Sequence, residues 1–133
     1  LKAIDTNVLV RFLVRDDQQQ ADIVYNLFKK TENQKDRLFL PGLVLLETIW
    51  VLESVYEIKR HEIIDAVDVL LSMPVLAFQS QPAVRRFISL AKKSNTDLPD
   101  LLIATAAEAE GCEKVLTFDR QAAKSPLFEL LEQ

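Results

Sequence analysis

Four short apolar, β-prone stretches recur along this chain, separated from one another by longer helical patterns. LKAI leads into Asp5, RLFLP covers 37–41, PVLAF covers 74–78 and KVLTF covers 114–118. Strands this short with no polar alternation read as buried on both faces, the habit of parallel sheets. Between them, helices are predicted at 6–14, 17–31, 42–56, 60–72, 82–94 and 99–110, with a short one after 119. This alternation predicts an α/β fold: a mostly parallel sheet with helices covering both faces. TENQKDR at 31–37 is the most polar stretch and reads as a surface loop. No repeat, low-complexity tract or interdomain linker interrupts the pattern, and residues 1–133 read as one domain long enough to bury a core.

The 49% apolar and 27% charged content is that of a globular chain. No apolar run approaches the ~18 residues that span a bilayer, and no secretory leader is apparent, so a cytoplasmic protein is expected. The single cysteine, Cys112, excludes an internal disulfide and reads as a small packing residue beside Gly111. A net charge of −4 argues against a non-specific polyanion binder. It leaves room for an enzyme acting on nucleic acid, because acids gathered around cations do not repel phosphate.

The acids themselves are oddly placed. Asp5 stands where the first core strand should be packing, and a half-buried charge costs several kcal/mol unless something pairs with it. Asp119 ends the last strand, in VLTFD, and sites in parallel sheets form at the carboxyl ends of strands. Glu47 lies on GLVLLETIWVLESVY (42–56), apolar almost all round, between Leu43 and Trp50 on one side and Val44 and Val51 on the other. A glutamate at the edge of a buried helix, reaching water, is an equally good reading of that position. In SNTDLPDLLIATAAEAEG (94–111), Asp97 makes a good N-cap, Pro99 suits the first turn, and Gly111 suits the end. Asp100 at N3 also favours the helix dipole, and capping alone could explain DLPD. Yet one cap suffices, which leaves the other acid free to point out of the helix start. Asp119 could also cap a short helix. Together, these acids would need counter-cations to stay ionised. All-oxygen ligands suit Mg²⁺ or Mn²⁺ and not zinc. The one histidine, His61, reads as a surface residue at a helix start.

At this point the motifs resemble the PIN-domain ribonucleases, and within them the VapC toxins of bacterial toxin–antitoxin pairs. IDTNVLVRFLV is similar to that family's opening motif, LLET to its glutamate motif, DLPDLLIATAA to its third and LTFDR to its last. The resemblance runs from about residue 2 to 120, in the right order and spacing. It implies a three-layer sandwich whose central, mostly parallel β-sheet has four to five strands. It implies that Asp5, Glu47, Asp100 and Asp119 are catalytic and hold divalent metal, with Asp97 a further acid that family members use variably. Asn7 and Thr117 match small polar positions whose expected task is to orient Asp5 and Asp119.

The activity implied is metal-dependent hydrolysis of RNA phosphodiesters by Mg²⁺ or Mn²⁺, leaving 5′-phosphate and 3′-hydroxyl ends. Arg11 and Arg15, one turn apart after Asp5, are the candidates for gripping RNA. RRFISLAKK (85–93) offers two further basic columns at helical spacing, or merely a solvated face. ADIVYNLF (21–28) with the helix at 42–56 offers an apolar surface for a partner. The resemblance implies a homodimer, an RNA substrate and a VapB-like antitoxin, with no membrane association. The alternative is a non-catalytic PIN-like module that binds RNA or protein. A dehalogenase-like or receiver site fits less well, because Asp5 is followed by Thr6 and Asn7 and not by a second acid.

Overall fold

The computed structural model describes residues 1–132. The chain forms two compact units, Leu1–Gln79 and a second from Ser80 onward. Among the described residues there are six α-helices and five strands, and every strand pairing is parallel. The α/β class is therefore as the alternation predicts.

The first unit runs β1 (Lys2–Ala3), α1 (Thr6–Val14), α2 (Gln18–Asn33), β2 (Leu38–Leu40), α3 (Gly42–Ser54), α4 (Arg60–Leu71) and β3 (Leu76–Phe78). Its sheet has the order β1-β2-β3, with Lys2 opposite Leu38 and Leu40 opposite Phe78. Parallel neighbours need long crossovers, and the pairs α1–α2 and α3–α4 supply them. Leu9, Leu40, Leu45, Ile49, Leu52 and Ile63 are almost fully buried and make the core of this unit. Pro41 precedes α3 and has no side-chain oxygen to cap it; Gln79, just beyond β3, accepts from the Gly42 amide at 2.8 Å instead.

A polar knot fastens the edge of this unit. Arg11 donates through Nε to Gln20 at 2.6 Å and through Nη1 to Asp16 and to the Tyr56 hydroxyl, both at 3.3 Å. Tyr56 donates in turn to Asp16 at 2.9 Å. The Tyr56 hydrogen bond, against a smaller opposing effect of burial, holds the Arg11 pKa above its ordinary value. Tyr56→Phe removes a donor and an acceptor from this knot and is expected to cost about 1 kcal/mol, read as a lower urea midpoint at unchanged slope. An unchanged midpoint would show the knot to be ornamental.

The second unit runs α5 (Gln81–Ala91), α6 (Leu98–Ala109), β4 (Val115–Thr117), a 3-10 turn (Ala122–Lys124) and β5 (Phe128–Leu130). Helices α5 and α6 pack with Phe87, Leu98 and Leu101 buried, and Arg86 pairs with Glu108 at 3.0 Å. A smaller cluster of Ala104, Ala122 and Phe128 seats the 3-10 turn and β5, with Val115 and Leu127 against it.

Several expectations need correcting. The strands make a three-stranded and a two-stranded sheet, not one sheet of four to five. β5 has no counterpart among the four predicted stretches, because FEL is too short to show a period. Burial on both faces holds for β2 only in part and fails for β1 and β4: Lys2, Ala3 and Leu116 are exposed. An apolar β-prone run marks a strand without saying what covers it. The basic columns predicted on RRFISLAKK do not form, since α5 stops at Ala91, before the lysines, and Arg86 is taken by Glu108. Cys112 follows Gly111 beyond the end of α6 and is exposed, not packed. His61 is exposed in the first turn of α4, as read from the sequence.

Candidate functional site

The acids fall into two groups, one in each unit. In the first unit, Ile4 is buried and its amide donates to Phe39 at 3.0 Å, carrying the strand pairing up to Asp5. The backbone then turns into α1. Asp5 stays extended (φ −100°, ψ −180°), and its Oδ1 accepts from the Val8 amide at 3.1 Å as the N-cap. Asp5 is exposed, which corrects the expectation of a half-buried charge: the strand has ended before it, so the packing cost that motivated suspicion does not arise.

Glu47 is exposed as well. Its flanking residues Leu43 and Trp50 are 80% and 55% exposed, so the apolar setting read from the helix is a surface strip and not core. The buried face of α3 is Leu45, Thr48, Ile49 and Leu52. Thr6, next to Asp5, donates its hydroxyl to Glu47 Oε1 and ties the start of α1 to α3. Sequence reasoning assigned the orienting role beside Asp5 to Asn7. Asn7 is exposed, and the contact Thr6 makes is with Glu47 and not with Asp5.

In the second unit, Asp97 caps α6, its Oδ1 accepting from the Asp100 amide at 3.0 Å. The Asp100 carboxylate lies one turn in and makes no side-chain hydrogen bond among the described residues. Asp119 Oδ1 accepts from the amides of Gln121 at 2.8 Å and Ala122 at 3.3 Å. The Asp119 amide donates to Thr117 Oγ1 at 2.9 Å, which fixes the turn out of β4. A common economy links Asp5, Asp97 and Asp119. Each is oriented through Oδ1 by backbone amides, which leaves Oδ2 uncommitted to the cap.

Asp97, Asp100 and Asp119 line one cavity of about 720 Å³, together with Lys93, Gln121 and Lys124. Burial first, then the charges of Asp97 and Asp119, push the Asp100 carboxyl above its ordinary pKa. A carboxyl whose ionisation is opposed by burial and by two neighbouring carboxylates would be relieved by a positively charged occupant of the cavity. Among the described residues no three carboxylate, imidazole or thiol groups are drawn together closely enough to enclose a metal ion.

The PIN domain family model matches residues 2–126. The chain belongs to the PIN domain family. This PIN domain is also 27% identical over 124 residues to a VapC ribonuclease of Aquifex aeolicus (strain VF5), covering 93% of this chain and 91% of that protein. The family match at residues 2–126 spans all four acidic motifs. The RNA contact expected of Arg11 meets a competing engagement, because its guanidinium is bound to Gln20, Asp16 and Tyr56. Arg15 is exposed at the left-handed C-cap of α1 (φ 60°). No helix among the described residues is long and apolar enough to cross a membrane.

Proposed function

We propose that this PIN domain is a divalent-metal-dependent ribonuclease that hydrolyses RNA phosphodiester bonds as the toxin of a VapBC-type toxin–antitoxin pair. The observation that carries the reading is Asp100, kept from easy ionisation by burial and by Asp97 and Asp119 within one cavity. Family membership and the VapC ribonuclease relative supply the substrate class.

The donor set suits a hard cation: carboxylate oxygens, with no imidazole or thiol lining the cavity. Asp97, Asp100 and Asp119 in the second unit, and Asp5 and Glu47 in the first, are the residues through which the chain would engage Mg²⁺ or Mn²⁺. Such an ion, when bound, lowers the pKa of water and offsets charge on phosphate. The chain itself contributes orientation. Backbone amides hold Oδ1 of Asp5, Asp97 and Asp119, so their carboxylates are aimed before any ligand arrives, and Thr6 does the same for Glu47. Catalysis gains most from groups that need no reorganisation. Of the two arginines, Arg15 is the one whose charge faces solvent, and it is assigned to phosphate contact; Arg11 supports the helix that presents it.

A VapB-like antitoxin and a second copy of the chain are the proposed partners. The exposed Ile23, Tyr25 and Leu27 on α2, and Leu43 and Trp50 on α3, provide apolar surface for them. A cytoplasmic setting follows from that role and from a chain with one cysteine.

The test is cleavage of a total-RNA pool with Mn²⁺, with Mg²⁺ and with EDTA. Metal-dependent cuts bearing 5′-phosphates are expected. Asp5→Asn should abolish them while keeping the fold, because asparagine caps a helix as well as aspartate does. Asp5→Ala should abolish cleavage as well and also lower stability by about 0.5–2 kcal/mol, through the lost cap. Cutting that persists in EDTA or in Asp5→Asn would overturn the assignment.

A further inference from the structure

Two basic side chains share the cavity of the second unit with its three acids: Lys93, in the connection between α5 and Asp97, and Lys124, at the end of the 3-10 turn whose first amides Asp119 binds. Both are exposed, and among the described residues neither forms an ion pair with a carboxylate. Their charges are therefore available to a ligand. Two other basic side chains are committed elsewhere, Arg86 to Glu108 and Arg11 to Asp16.

We propose that Lys93 and Lys124 are phosphate-binding residues of this cavity, gripping the backbone phosphates that flank the bond to be cut. The inference rests on the ribonuclease reading and assigns it residues that the acidic motifs do not contain. Charge balance is the reason. Three carboxylates and two ammonium groups leave the cavity lining one formal negative charge. A single divalent cation then makes it net positive, and a phosphodiester is attracted. Without the lysines the same cation leaves the lining negative, and the substrate is repelled. Lysine also suits the task chemically. Its ammonium is a point charge on a flexible stem, which neutralises phosphate without reading sequence.

The experiment compares the full chain with Lys93→Gln, Lys124→Gln and the double variant, using Lys30→Gln on α2 as the control for loss of one surface charge. Binding of a labelled single-stranded RNA oligonucleotide is measured over a range of salt with Ca²⁺ in place of the catalytic cation, so that the cavity carries the positive charge the argument requires. Cleavage kinetics are measured in Mn²⁺. Each single variant is expected to raise Kd and KM about fivefold, and to lower the slope of log affinity against log salt by about 0.7. The cleavage rate at saturating RNA should stay within about twofold, since the lysines hold substrate and do not touch the reacting bond. Lys→Arg at either position should restore both the affinity and the slope.

Unchanged KM and salt slope in variants that still cut RNA would overturn the inference, as would an equal effect from Lys30→Gln. Wild-type protein that binds RNA through these lysines yet cuts none keeps the inference and overturns the nuclease reading. Protein that cuts RNA with an affinity indifferent to both lysines does the reverse. Failure to bind RNA at all removes both.

Discussion

Asp100→Asn is expected to lower RNA cleavage by on the order of 10²–10⁴-fold while leaving the metal-free fold at least as stable as the wild type. The two effects have one cause. The Asp100 carboxyl is pushed above its ordinary pKa by burial, then by Asp97 and Asp119. Its charge is therefore disfavoured in the native state, and nothing among the described residues hydrogen-bonds it in return. Asparagine fills the same space without the charge.

The sign of the pH dependence follows from that shift. Below the unfolded-state value of 3.8 both states are protonated, and Asp100 imposes no cost. As pH rises through the raised native value, the folded protein must give up a proton it prefers to keep. Fewer protons are then bound by the unfolded state than by the native one across that window, so stability falls. Unfolding midpoints in EDTA, measured upward from about pH 4, should therefore decline more steeply in wild type than in Asp100→Asn. Mg²⁺ or Mn²⁺ should raise the wild-type midpoint and raise that of Asp100→Asn less. A wild type that gains stability relative to the variant as pH rises would contradict the electrostatic account of the cavity.

Phe87→Ala should be the most damaging single truncation in the second unit. Phe87 has no exposed surface, and it lies on α5 where that helix packs on α6, whose Leu98 and Leu101 are equally buried. Removing the ring forfeits its transfer free energy and leaves a cavity that a helix pair cannot fully close, a loss of about 3–5 kcal/mol. Against a typical total of about 5–15 kcal/mol, that is a large share. The start of α6 carries Asp97 and Asp100, so cleavage should fall with the folded fraction as temperature or urea rises. Phe87→Leu keeps most of the volume and should cost far less. A Phe87→Ala penalty below about 1 kcal/mol would mean that α5 and α6 are held by something other than this packing.

Much of the local structure was legible beforehand. Helices predicted at 6–14, 42–56 and 99–110 are found at Thr6–Val14, Gly42–Ser54 and Leu98–Ala109. Asp97 caps α6 as its spacing to Pro99 and Asp100 predicts. The four acidic motifs pointed to the family that the comparison then gave. Other features lay outside what a pattern can express. No local signal marks Gln79 as the residue that serves the α3 N-terminus, because the two meet only after β3 pairs beside β2. Thr6 is an ordinary helix-start threonine until α3 lies beside it and Glu47 takes its hydroxyl. Arg11 reads as a free cation until α2 and Tyr56 close around it.

By itself, then, the sequence determined which segments are helix and, β5 apart, which are strand, where the helices begin, and which acids stand at those beginnings. These depend on hydrogen bonds and apolar periods spanning three or four neighbours. Tertiary structure alone decided that Asp5 and Glu47 are exposed, that the strands divide into two parallel sheets, and that Lys93 and Lys124 share a cavity with Asp97, Asp100 and Asp119. Exposure and charge environment are set by residues far away along the chain, and no short-range period encodes their distance.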